Sequence, residues 1–143
     1  MFLANISHIN KIVSKAIIKK NNYYLLQLRD NKQDIPYPNT WGFFGGECEN
    51  GETPEKCLIR ELYEEIEFIV NELRFSHFTI DERYYCKVNY FLIDWHLSFE
   101  NIVLHEGQYH SWFREDQIKY LNAPFVSVAI ETSIKKLKNN SYE

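Results

Sequence analysis

Apolar and polar positions along the chain fall into short blocks, each ending at a turn-forming residue. Lys11–Ile18 (KIVSKAII) and Tyr23–Arg29 (YYLLQLR) read as two strands joined by a turn at Lys20-Asn21-Asn22. Asn31–Thr40 contains Pro36 and Pro38 and reads as a loop. Trp41–Phe44 is a brief apolar stretch that runs into Gly45-Gly46, a glycine loop. From Pro54 to about Glu67 the period becomes helical, with Leu58, Ile59, Leu62 and Ile66 on one stripe that can pack against a sheet. Pro54 suits a first helical turn, where its missing N–H costs nothing, and Thr53 suits the N-cap. Leu73–Ile80 and Tyr84–Trp95, separated by Asp81-Glu82-Arg83, predict a hairpin. Leu97–Leu104 is expected to continue the sheet, and His110–Arg114 to add a short strand. Phe125, Val128, Ala129, Ile130, Ile134 and Leu137 give helical spacing over Ala123–Lys138. The order β, β, helix, β, β, helix predicts an α/β fold with a mixed sheet between helices, in one domain over residues 1–143.

Composition narrows the picture. The chain of 143 residues is 45% hydrophobic and 16% aromatic, enough for a real core. Its formal net charge of −4 gives no support for broad binding to nucleic acid or to an anionic membrane. The first twenty residues lack a long apolar core and a small-residue cleavage site, so no secretory signal is expected. No stretch approaches a bilayer span. Cys48, Cys57 and Cys86 are odd in number and lack metal-ligand spacing, so they read as reduced thiols of a cytoplasmic protein. The histidines His77, His96, His105 and His110 show no metal-ligand spacing either.

The chemistry concentrates in Gly46–Phe68, GECENGETPEKCLIRELYEEIEF. Glu61, Glu64 and Glu65 are spaced i, i+3, i+4 and share one face of the predicted helix. Clustered carboxylates repel one another unless cations offset them, and hard oxygen donors suit Mg²⁺ or Mn²⁺. A helix rich in glutamate is most often only a solvated face. Here, however, an apolar stretch, a glycine-rich loop and the acidic helix follow in order.

This segment resembles the signature of the Nudix hydrolase superfamily. That pattern is Gly, five residues, Glu, seven residues, Arg-Glu-aliphatic, one residue, Glu-Glu, one residue, Gly, and an aliphatic or aromatic residue. Gly46, Glu52, Arg60, Glu61, Leu62, Glu64, Glu65 and Phe68 match, and Glu67 stands where the family has glycine. Glycine there normally permits positive φ at the helix end, so Glu67 either adopts that conformation at a cost or lets the helix run on.

The resemblance implies a Nudix-type α/β/α sandwich and hydrolysis of a nucleoside diphosphate linked to another group X, with Mg²⁺ or Mn²⁺ as cofactor. It implies Glu61, Glu64 and Glu65 as metal ligands, with the Gly45 carbonyl as a further one. Glu52 becomes a supporting or general-base carboxylate, and Arg60 the partner that holds a motif glutamate. Outside the signature, His105-Glu106-Gly107-Gln108 before Trp112-Phe113 resembles a Glu-Gly-Gln stretch of many members. Glu106 would then be a metal ligand or catalytic base, the alternative being a solvated loop glutamate. Arg29 ends a strand where members often place a basic residue against phosphate. Asn122 lies near the position of a base-binding asparagine in nucleotide-sanitising members. Trp41, Phe43, Phe44, Tyr84, Tyr90 and Trp112 offer surface for a base or packing for a core.

The implied partner is a small nucleotide, either a nucleoside triphosphate (an oxidised one included) or a nucleoside diphosphate sugar. Neither nucleic acid nor membrane is expected, and a homodimer is left open. The competing reading is a catalytically silent Nudix-like nucleotide-binding or regulatory domain. Such domains typically lose signature glutamates, and Glu64 and Glu65 are both present.

Overall fold

A computed structural model describes residues 9–105 and 107–140. Among these, seven strands form one mixed sheet: β1 Lys11–Lys20, β2 Tyr23–Leu28, β3 Trp41–Gly42, β4 Phe44–Glu47, β5 Arg74–Asp81, β6 Cys86–Asp94 and β7 Tyr109–Arg114. The helices are α1 Pro54–Ile66, α2 Glu115–Ile118 and α3 Val126–Asn140. None is long and apolar enough to cross a membrane among the described residues.

β1 is the spine of the sheet. On one edge it runs parallel to β6, from Lys11 opposite Cys86 to Lys19 opposite Asp94. On the other it meets β2 only at Lys19 and Lys20, across a turn where Asn21 takes φ 55°. Asparagine tolerates that left-handed conformation better than most residues. Beyond the turn β1 and β2 part, and the chain from Trp41 to Glu47 fills the gap. β3 pairs with β2 (Leu28 opposite Trp41), while β4 pairs with β1 (Ser14 opposite Gly46). β7 covers the far edge of β2 and β5 the far edge of β6.

Strand alternation divides the core into two. Ala16, Ile18, Leu25, Phe44, Phe91 and Ile93 face α1, where Leu58, Leu62 and Ile66 meet them. Ile17, Tyr24, Leu26, Phe43 and Tyr90 face α2 and α3, against Ile118, Val126, Ala129 and Ile130. The sheet therefore lies between helices, the α/β/α arrangement expected.

Several boundaries differ from the pattern reading. Gly45 and Gly46 continue β4 rather than forming a loop. Leu97–Leu104 adds no strand: its backbone turns back at Ser98–Asn101 and Glu100–Ile102, and Ile102 and Leu104 lie partly buried against the α1-side core. The edge of β2 that could have taken a further strand belongs to β7. α3 begins at Val126 rather than Ala123, because Phe125 sits at φ 72°, outside helical geometry. The β5–β6 turn is wider than three residues, with β6 starting at Cys86 and Trp95 lying just past its end. Helix α2 has no counterpart among the expected elements.

Candidate active site

The start of α1 is fixed by its own sequence. Thr53 Oγ1 accepts the N–H of Lys56 at 3.2 Å, and Pro54 occupies the first turn. Its end is fixed by Glu67, which takes φ 52°, ψ 32°. A side chain in that region costs about 1–2 kcal/mol relative to glycine. The helix therefore stops at Ile66, and Phe68 turns inward to stack on Trp95 with ring centroids 4.4 Å apart.

The three acidic positions of α1 are not equivalent. Glu65 is 2% exposed, Glu61 is half-buried, and Glu64 is open to solvent. Glu65 Oε1 accepts the Gly45 N–H at 3.1 Å, and Oε2 accepts Gln27 Nε2 at 3.4 Å. Glu61 lies against Gly46, where a Cβ would stand 2.5 Å from the Glu61 carboxyl carbon. Gly46 is thus required by the close approach of this carboxylate to the strand.

Arg60 binds the acids together. Its Nε and Nη2 donate to the two oxygens of Glu52 at 2.7 and 2.9 Å, a bidentate pair. Its Nη1 donates to Glu61 at 3.0 Å and to Glu64 at 3.2 Å. Hydrogen bonds from the Arg60 guanidinium and the Glu49 N–H hold the Glu52 carboxyl down at about 2. Burial pushes the Glu61 carboxyl up, with Glu64 adding to the rise against the opposing pull of Arg60. Among the described residues no three acidic, imidazole or thiol groups converge on one point, and Arg60 is the cation that now stands between the glutamates.

Glu61, Gly45 and Gly46 line a cleft of about 390 Å³. Lys15 and Arg29 also line it, together with the aromatic side chains of Tyr37, Trp41, Tyr84 and Phe125. Tyr37 packs edge-on against Tyr84 and Phe125, at 5.1 and 5.3 Å, and its hydroxyl donates to Asp81 Oδ2 at 3.0 Å. Tyr37 and Phe125 hold left-handed backbones, at φ 50° and 72°. Bulky residues rarely adopt that conformation, and where they do the strain often belongs to a site.

The structure brings together Glu52, Arg60, Glu61, Glu64, Glu65 and Gly45. Arg29 lines the cleft with its Nε donating to the Pro36 carbonyl at 3.0 Å. Asn122 is exposed and does not line the cleft; its carbonyl accepts the Trp41 N–H at 2.9 Å and so secures β3. Glu106 lies outside the described residues. Of the aromatics named from sequence, Trp41, Phe43, Tyr84 and Tyr90 reach the cleft, whereas Phe44 and Trp112 belong to the α1-side core. Tyr37, Phe125, Asp81 and Lys15 were not singled out by sequence. Only Tyr37, an aromatic between two prolines, carries a local signal.

The family model described as the NUDIX domain matches residues 12–131. The chain belongs to the Nudix family. As a Nudix hydrolase it is an enzyme acting on phosphoric anhydride bonds of nucleotides. It is 30% identical over 132 residues to the 8-oxo-dGTP diphosphatase of Escherichia coli (strain K12), covering 88% of this chain and 95% of that protein. Solved structures share the fold. MutT from Methanosarcina mazei Go1 superposes with a TM-score of 0.71 at 18% identity, covering 91% of this Nudix chain and 94% of the other. A MutT structure from work on Aliivibrio salmonicida and Vibrio cholerae gives 0.69 at 20% identity, covering 87% and 98%. The NUDIX domain of Shewanella oneidensis NrtR, solved with ADP ribose, gives 0.70 at 15%, covering 88% and 87%.

Proposed function

We propose that this Nudix hydrolase converts a nucleoside triphosphate, an oxidised purine triphosphate such as 8-oxo-dGTP among them, into the monophosphate and pyrophosphate with Mg²⁺ or Mn²⁺. The observation that carries this reading is a single cleft lined by both the Glu61 carboxylate and an edge-on cluster of aromatic rings. Near-complete coverage of the Escherichia coli 8-oxo-dGTP diphosphatase favours triphosphates over diphosphate sugars.

The donors fit a hard divalent cation. Glu61, Glu64, Glu65 and the Gly45 carbonyl are all oxygen ligands, and the missing Cβ of Gly46 leaves room for Glu61 beside the strand. A bound divalent cation offsets phosphate charge and favours deprotonation of a water nucleophile. The protein's own groups do the rest. Arg60 and Glu52 keep Glu61 and Glu64 in place. Lys15 and Arg29 set positive charge along the path of the phosphates. Tyr37, Tyr84 and Phe125 take the base by ring contact. Glu106 serves as a metal ligand or base. Of its chain neighbours, the His105 N–H donates to the Glu65 carbonyl at 2.8 Å, and a Cβ on Gly107 would stand 2.7 Å from Gln27 Oε1. Asn122 serves the base indirectly, its carbonyl holding Trp41 in the cleft wall. The enzyme is proposed to be cytoplasmic.

The test is a panel of nucleoside triphosphates, 8-oxo-dGTP and ADP-ribose with Mg²⁺, read by product chromatography. Monophosphate and pyrophosphate from a triphosphate support the proposal. Turnover of ADP-ribose alone would move it to the diphosphate class.

A further inference from the structure

Two thiols lie directly behind the acidic site. Gly46 and Cys48 are two residues apart in an extended chain, which the Cys48 N–H to Ile12 carbonyl bond continues past β4. They therefore point to the same side of the sheet. Cys57 and Glu61 are four residues apart on α1 and share a helix face. Gly46 meets Glu61 across the strand–helix contact. Two residues along the strand and one turn back along the helix, Cys48 must meet Cys57. The contacts agree. Cys48 Sγ lies 3.6 Å from Ser14 Oγ, and Cys57 Sγ donates to the Gly46 carbonyl at 3.6 Å. The Cys48 thiol and the Ser14 hydroxyl both lie near enough to Cys57 to act on its thiol, Cys48 raising and Ser14 lowering its pKa. Cys48 is half-buried and Cys57 fully buried.

We propose that Cys48 and Cys57 form an oxidant-reactive dithiol, a site at which a hydroperoxide joins the end of β4 to the first turn of α1 through a disulfide. The Cys48 thiolate attacks the peroxide oxygen, giving a sulfenic acid and releasing water or an alcohol. The Cys57 sulfur then attacks the Cys48 sulfur, and the Cys57 proton leaves with the displaced hydroxide as a second water. Two thiols lose two electrons and two protons, and one hydroperoxide is reduced. Cys48 is the attacking group because it reaches solvent, while burial pushes the Cys57 thiol up to about 12.

The bond changes the site by a short route. The Cys57 S–H that donates to the Gly46 carbonyl is lost, and the two sulfurs draw together. The strand and helix are already closer at Gly46 and Glu61 than a methyl group allows. The movement therefore reaches the Glu61 carboxylate. This effect on hydrolysis rests on the pyrophosphohydrolase reading; the cross-link itself does not.

The full chain is treated with hydrogen peroxide, alkylated after unfolding without reductant, and digested with trypsin. The expected product is the peptide Gln33–Lys56 joined to Cys57–Arg60, lighter by two hydrogens than their sum, with Cys86 alkylated. The oxidised enzyme is expected to hydrolyse its nucleotide at least about fivefold more slowly, to recover with dithiothreitol, and to be protected by Cys48→Ser. Recovery of Cys48 as a thiol or sulfinic acid with no joined peptide overturns the dithiol. A joined peptide with an unchanged rate overturns its link to the site. A reduced protein with no hydrolysis at all overturns the function proposed above, and the joined peptide still decides the dithiol.

Discussion

Gly46→Ala isolates the strand–helix contact on which the site depends. Gly46 has no positive φ and pairs with Ser14 in the β1–β4 ladder, so its backbone accepts alanine. The new Cβ would stand 2.5 Å from the Glu61 carboxyl carbon and 2.6 Å from both oxygens, whereas ordinary contact begins at 3.4 Å. The carboxylate must retreat by the difference, 3.4 − 2.5, about 0.9 Å. That is a rotation of a flexible side-chain end, costing about 0.5–1.5 kcal/mol. The unfolded chain, stiffened by alanine, returns about 0.4–1 kcal/mol. Stability should therefore hardly change, with the melting temperature within about 4 °C of the parent. Activity should suffer far more. A displacement near 1 Å in a positioned group costs about 10²-fold, and Mg²⁺ demands near-ideal ligand geometry. The assay is kcat/KM for nucleotide hydrolysis beside a thermal melt. A variant that melts like the parent and hydrolyses within about threefold of it would refute a reacting role for Glu61 at this contact.

Arg60→Met removes the cation that Glu52, Glu61 and Glu64 share. Without metal it should melt about 5 °C lower, and added Mg²⁺ should recover more of the loss than it adds to the parent; equal recovery would separate Arg60 from the carboxylate cluster. Glu52, held at about 2 against an ordinary value of 4.5, contributes stability above about pH 4.5 that is lost as pH falls toward 2. The melting difference between parent and Glu52→Gln should shrink over that window, and a constant difference would contradict the pairing. Burial, with Lys136 adding to it, depresses His77 below its ordinary value of 6.5, so the unfolded chain takes up a proton first as pH falls. His77 stacks on Tyr90 at 4.9 Å. His77→Phe should keep that stack and lose less stability than the parent between pH 7.5 and 5, as read by melts at both values.

The parts of the fold visible in the sequence were those set locally. Thr53, Pro54 and the stripe through Leu58, Leu62 and Ile66 fix α1 without reference to distant residues. Asn21 marks its turn for the same reason. Distant contacts decided the rest. Glu65 looks like its neighbour Glu64, yet one is buried against Gly45 and Gln27 while the other is open. Helical spacing gives the face but not the depth of what covers it. Leu97–Leu104 has apolar residues suited to a strand, but the edge it needed is occupied by β7. The aromatic lining of the cleft was legible only in part, at Trp41 and Tyr84, because Tyr37 and Phe125 join Tyr84 from two other segments. Phe125 also sits in a backbone conformation no propensity predicts.

The most direct test of the acidic helix as the reaction centre is hydrolysis of 8-oxo-dGTP and the ordinary triphosphates by the parent and by Glu61→Gln. Each is assayed with Mg²⁺ and with excess chelator, following monophosphate and pyrophosphate. The parent should form both products only with Mg²⁺, and Glu61→Gln should fold normally yet lose about 10²-fold or more in rate. Equal rates in parent and variant, or turnover that survives the chelator, would contradict the account.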